Sequence, residues 1–275
     1  MKLLGVIFSL LILFSVVTAA KVDTLQIYST KMDTALGAIV IVPDDISGGG
    51  ALRFPTVYLL HGWSGNFTNW FTKTDLKTYA DAYNFIIVCP EGGYAGWYLD
   101  SPINPKSQFE SYIIQDVVPY IDSHYPTLKD YRRRAICGLS MGGHGALFLF
   151  IRHPDVFGVA GSMSGVLELD QSTARYSIAK LLGEYTQFAD RWQDYSVLSL
   201  LSQIQTKNHA LLIDCGVEDR FIVSNRKAHQ YLLTQQIPHT YIERPGGHTW
   251  AYWTSALPYH LLFFQQYFNR TPIDW

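Results

Sequence analysis

Along the chain, short apolar runs alternate with stretches of helical period. The β-branched or apolar runs occupy residues 36–42, 56–60, 85–89, 135–137, 156–160, 210–215 and 240–242, with a weaker edge candidate at 24–28. Apolar positions recur at helical spacing near 69–83, 108–124, 141–153, 225–236 and 250–268. Strands alternating with helices predict βαβ units and a mostly parallel central sheet with helices on both faces. Several runs are hydrophobic throughout, as strands covered on both faces should be. Residues 167–208 break the alternation with helical patterns and no strand, which predicts a small helical insertion. In this architecture it would lie over the carboxyl ends of the strands, where α/β sheets bind ligands, and it reads as a partial lid. Gly48-Gly49-Gly50 reads as a hairpin or loop tip. One open sheet accounts for residues 21–275, so one domain is expected.

Composition narrows the class. The chain has 275 residues, of which 48% are hydrophobic and only 16% charged, so it can bury a sizeable core and is not a disordered segment. A net charge of −2, with no basic run longer than Arg132-Arg133-Arg134, argues against a nucleic-acid partner. The first twenty residues, MKLLGVIFSLLILFSVVTAA, have a charged start, an apolar stretch and the small-residue ending Thr18-Ala19-Ala20. That is the form of a cleavable export signal, which leaves an exported or periplasmic chain with no stable hold on a membrane. Cys89, Cys137 and Cys215 are an odd set lying in or at the end of apolar runs, so all three read as buried structural thiols.

The candidate chemistry starts at AICGLSMGGHGAL, residues 135–147. Gly138-Leu139-Ser140-Met141-Gly142 fits the Gly-x-Ser-x-Gly elbow, in which a sharp strand-to-helix turn exposes a serine hydroxyl. Such a pentad arises by accident in roughly one chain in ten, so its surroundings decide. A serine nucleophile needs a base and a group that orients the base, and on this fold they follow in the order serine, acid, histidine. The segment LLIDCGVEDRF offers Asp214, Glu218 and Asp219. Asp219 is favoured because it lies past a glycine that lets the chain leave the sheet; Glu218 and then Asp214 are the alternatives. Of nine histidines, His248 stands in the glycine-rich loop RPGGHTWAYW, after the last strand and downstream of the acid. The oxyanion donors should be the backbone N–H of Met141 and one from the loop in VYLLHGWSGNFTNW, assigned to Trp63. No group of His, Cys, Asp or Glu has metal-ligand spacing, so neither a metal nor a cofactor is expected.

VYLLHGWSGNFTNW, GLSMGGHGALFLFIRHPDVFG, DCGVED and PGGHTW together resemble the esterase D-like α/β-hydrolases, over about residues 24–268. That family includes S-formylglutathione hydrolases, tributyrin esterases, the antigen 85 mycolyltransferases, and the feruloyl and acetylxylan esterases of carbohydrate esterase family 1. The resemblance implies Ser140, Asp219 and His248 as a catalytic triad, with the Trp63 and Met141 amides as oxyanion donors. The antigen 85 branch departs from this pattern, since its Leu-Asp-Gly oxyanion segment is replaced here by His61-Gly62 and its acid is a glutamate. An aromatic content of 15% includes Tyr94, Trp97 and Tyr98 in one loop, and these are expected beside Trp63, Trp250 and His61 to contact substrate. Export favours a polymer-derived ester over a cytosolic thioester. The expected partner is therefore a small acetyl or feruloyl ester on a polysaccharide or its oligomers.

Overall fold

The computed structural model describes residues 19–44 and 52–270. The glycine run at 48–50 and most of the leader-like segment lie outside the described residues. Eight strands form one sheet: β1 (Lys21–Ser29), β2 (Thr34–Val42), β3 (Thr56–Leu60), β4 (Ile86–Pro90), β5 (Arg134–Leu139), β6 (Val159–Met163), β7 (Ala210–Gly216) and β8 (Thr240–Arg244). Their order is β1-β2-β4-β3-β5-β6-β7-β8, antiparallel where β1 meets β2 and β2 meets β4, and parallel from β4 to β8.

Alternating side chains along the inner strands feed two apolar layers. Tyr58, Leu60, Ile86, Val88 and Ile136 face one layer, while Val57, Leu59, Ile87, Cys89 and Ala135 face the other. The first layer is closed by α5 (Met141–Arg152) and α9 (Ile222–Thr234), the second by α2 (Leu76–Tyr83) and α10 (Trp250–Phe268). All three cysteines are buried and unpaired. Among the described residues, no helix is long and apolar enough to cross a membrane.

Several expected boundaries moved, each for a local reason. The weak edge at 24–28 is a full nine-residue strand, because β1 zips along β2 from Lys21↔Val42 to Ser29↔Thr34. Asp81 ties both ends of this hairpin to α2 by accepting the backbone N–H groups of Ala20 and Asp44. The run at 156–160 shifts to Val159–Met163: Phe157 is held in the turn after α5, and the small Gly161 and Ser162 pair in register with β5. Gly161 suits a strand here because His260 packs directly on it; a Cβ there would lie 2.3 Å from His260 Nδ1. The stretch 69–83 splits into α1 (Asn69–Lys73) and α2, which Asp75 caps by accepting the Thr78 N–H. The stretch 108–124 becomes α3 (Phe109–Ser111), a π turn over Tyr112–Val117, and α4 (Val118–His124), whose Pro119 has no N–H to continue an α-helical ladder.

The insertion holds a 3₁₀ turn (Gln171–Tyr176), α6 (Ala179–Leu182), α7 (Tyr185–Asp194) and α8 (Val197–Leu200). Ile178, Leu182, Trp192 and Val197 are fully buried against the α5 side of the sheet.

Candidate active site

The site forms where β3, β5, β7 and β8 end. Leaving β5, the chain turns so tightly into α5 that Ser140 is held at φ 55° and ψ −115°. That conformation is costly for a residue with a Cβ and needs its surroundings to enforce it. The enforcement is visible in the glycines: a Cβ at Gly138 would lie 2.3 Å from the Gly142 carbonyl oxygen, and one at Gly142 would lie 2.4 Å from that of Leu60. The Ser140 N–H donates to Met163 O at 2.9 Å, tying the turn to β6.

Ser140 Oγ lies 2.9 Å from His248 Nε2, and His248 Nδ1 lies 2.8 Å from Asp219 Oδ2. A carboxylate can only accept, so Nδ1 carries the proton and Nε2 presents its lone pair to the serine hydroxyl. Asp219 is buried, and its other oxygen accepts the Phe221 N–H at 2.8 Å. Burial pushes the Asp219 carboxyl up, but the hydrogen bonds from His248 and the Phe221 amide outweigh it and hold the group below the usual range. The imidazole is boxed edge-on by Phe221 and Trp253, with ring centroids at 5.1 and 4.9 Å. The loops carrying acid and histidine are joined backbone to backbone, Val217 N–H to Arg244 O and Glu218 N–H to Gly246 O.

The two other carboxylates weighed for the acid lie elsewhere. Glu218 is exposed. Asp214 still lies within β7, fully buried, where it accepts hydrogen bonds from Arg244 and the Tyr252 hydroxyl. Burial raises its carboxyl in spite of both partners.

A cavity of about 300 Å³ opens over Ser140 and His248. Trp63 and Trp250 line it. The Met141 amide opens α5, where first-turn N–H groups have no partner within the helix. Tyr94 stands at the rim, well exposed and edge-on to Trp63 at 5.1 Å.

Three expected substrate contacts are corrected. Trp97 and Tyr98 both adopt positive φ, which turns their side chains inward, and both are buried. The Tyr98 ring fills the space beside Gly145 of α5, and its hydroxyl donates to His61 O. Trp97 packs edge-on against His144 and donates its indole N–H to Tyr176 O. His61 is buried beneath the oxyanion loop, with Nε2 3.1 Å from Glu91 Oε1. Buried there, it is not part of the cavity lining.

The sequence reading missed other residues. Tyr176 of the insertion enters the cavity wall, its ring 5.6 Å from that of Trp63, and Arg220 stands beside it. Trp253 and Asn69 also line it. Glu91 lies outside the cavity but accepts N–H groups from Phe67, Gly92 and Gly93, pinning the loop that carries Trp63. An acidic residue at a strand end followed by two glycines was the available signal for Glu91. Nothing local marked Tyr176.

A sheet of this order, with a serine elbow after β5, a carboxylate after β7 and a histidine after β8, defines an α/β-hydrolase. The sequence model of the Esterase family matches residues 29–264, and the chain belongs to that family, within its esterase D-like group. It is 30% identical over 241 residues to Esterase Rv1288 of Mycobacterium tuberculosis, covering 77% of this chain and 52% of that protein. It thus spans about half the length of that curated relative. It is 24% identical to an acetyl esterase of Caldicellulosiruptor saccharolyticus, over 74% of this chain and 80% of the other. Among solved structures, a ferulic acid esterase superposes with a TM-score of 0.77 at 26% identity, covering 90% of this chain and 98% of that one.

Proposed function

We propose that the protein is an exported serine carboxylic-ester hydrolase that cleaves small acyl esters, acetyl or feruloyl, on carbohydrate, with residues 21–275 acting as one catalytic domain after the leader is removed. The observation that carries this reading is the hydrogen-bonded chain from Ser140 through His248 to buried Asp219. In the mechanism it supports, His248 Nε2 takes the serine proton as Oγ attacks the ester carbonyl. The negative oxygen of the tetrahedral intermediate is met by the Trp63 and Met141 amides, which act where charge develops. His248 then protonates the departing alcohol, leaving an acyl-serine, and the same imidazole draws a proton from the water that releases the acid. Asp219 holds the imidazole tautomer and offsets the charge it acquires.

The substrate class rests on the cavity and on the relatives. At about 300 Å³ with aromatic walls, the cavity is at the small end of ligand sites. Trp63, Trp250 and Tyr176 offer faces on which a phenolic acyl group or a sugar ring can pack. Acetyl and ferulic acid esters are the substrates named for two of the relatives.

The test is hydrolysis of p-nitrophenyl acetate, methyl ferulate and acetylated xylan by the mature protein, beside Ser140→Ala. Turnover by the first and a loss of roughly 10⁴-fold or more in the second is the expected result. Covalent labelling by a fluorophosphonate should be seen only with Ser140 present. Equal activity of both proteins would refute the serine mechanism, and inactivity of both would refute the esterase reading.

A further inference from the structure

Tyr176 is gripped by two arginines at the mouth of the cavity. Arg220 Nη1 lies 3.4 Å from the Tyr176 hydroxyl, and the Arg175 guanidinium lies 5.0 Å from the centre of the Tyr176 ring. Both arginines are exposed, and among the described residues neither has a carboxylate within the 4.0 Å of an ion pair. Among the described residues, the acidic groups nearby form no ion pair with either arginine. Asp219 is held by His248, Glu168 pairs with Lys227, Asp170 caps the turn at Ser172, and Glu218 makes no ion pair. Both guanidiniums therefore keep hydrogen-bonding capacity for an incoming anion.

The position of Arg220 is specific. It follows Asp219 directly, so its Cα lies about 3.8 Å from that of the acid. It lines both the cavity over Ser140 and an adjoining cleft of about 230 Å³ that continues over Thr173 and Phe221. Arg220 therefore faces the same cavity as Ser140. Guanidinium is planar and strongly favours bidentate pairing with carboxylate. The neighbouring Tyr176 and Trp63 rings, set edge to face, give the rest of such a molecule an aromatic wall to pack on.

Taking the serine esterase reading as its basis, we propose that Arg220, assisted by Arg175, selects esters that carry a carboxylate close to the scissile bond. The carboxylate can belong to the acyl part, as in a dicarboxylic half-ester, or to the alcohol part, as in an acylated uronic acid. Neither group reacts; Arg220 is a specificity residue, and the bonds made and broken remain those at Ser140.

Two matched substrate pairs separate these sources and test the idea. p-Nitrophenyl hemisuccinate against p-nitrophenyl butyrate places the charge on the acyl side. 4-Acetoxybenzoate against 4-acetoxybenzamide places it on the alcohol side. In at least one pair, the ratio of kcat/KM for the anionic over the neutral ester should fall roughly five- to twentyfold in Arg220→Gln and further in Arg220→Glu. In the wild type that ratio should also fall as salt is raised from 0.01 to 0.5 M, since the pair is solvent-exposed and screened. A ratio unchanged in both variants and flat with salt overturns the proposal while the neutral esters still report an active esterase. Failure of the wild type on every ester would overturn the esterase reading, and this inference with it.

Discussion

Glu91→Gln tests whether one carboxylate outside the cavity sets the oxyanion site. Glu91 Oε1 accepts the N–H of Gly93 at 2.8 Å and that of Gly92 at 3.1 Å, while Oε2 accepts the N–H of Phe67 at 3.3 Å. Burial raises this carboxyl, but His61 and the loop amides outweigh burial and hold it below its ordinary range. Glutamine keeps the shape but has one acceptor oxygen. If that oxygen serves Gly92 and Gly93, the NH₂ must face the Phe67 N–H, donor against donor, and the charge beside His61 is lost. A hydrogen bond to a charged group contributes about 1.5–3 kcal/mol when buried. With the side chain 15% exposed, the change should cost about 1–2 kcal/mol, or a Tm drop of roughly 2–4 °C for a chain of this size. Because the Phe67 end of the loop also carries Trp63, its amide should drift from the developing oxyanion. Full loss of such a donor costs about 10²–10³ in turnover, so a displaced one should cost about tenfold. The fall should appear in kcat with little change in KM, since the oxyanion exists only in the transition state. Steady-state kinetics on p-nitrophenyl acetate beside thermal unfolding decide it. A lowered Tm with wild-type kcat would show that Glu91 supports the loop without setting the donor, and unchanged values of both would refute the reasoning.

Three further outcomes are expected. Asp219→Asn should keep its fold yet lose roughly 10³–10⁴ in kcat, because an amide can donate to Nδ1 and turn the imidazole to the wrong tautomer; a loss under tenfold would point to another orienting acid. Gly142→Ala should lower stability by about 1–3 kcal/mol and depress kcat, since its Cβ would meet backbone carbonyls at 2.4 and 2.6 Å that cannot swing away; a wild-type Tm would contradict that contact. Fully buried His144 is held down to about 4 by burial, so between pH 6.5 and 4 the unfolded chain binds the extra proton and stability falls as pH drops. That one group accounts for about 3 kcal/mol across the window. His260, also buried and held down to about 3, acts in the same direction. A Tm that is flat from pH 7 to 4.5 would show that one or both rings are charged in the folded state.

The α/β alternation was legible from the chain alone because strands covered on both faces must be apolar throughout and their helices amphipathic, and both patterns are short-range. The serine, acid and histidine could be expected at one site for a related reason: β5, β7 and β8 lie within four successive strands of the sheet, so their carboxyl ends open on the same edge. Favouring Asp219 over Glu218 and Asp214 was an argument from glycine placement. Only the folded chain put Asp219 2.8 Å from His248, left Asp214 inside β7 with Arg244 and Tyr252, and turned Glu218 to solvent. The aromatic loop was misread because the direction of a side chain depends on backbone φ and on what lies across from it. Positive φ at Trp97 and Tyr98, and the space left at Gly145, carry those rings inward. Tyr176 and Arg220 lie 44 residues apart and meet only because the first turn of the insertion comes back to the loop after β7. Periodicity reports what one segment buries; it carries no record of which distant segment will complete the wall of a site.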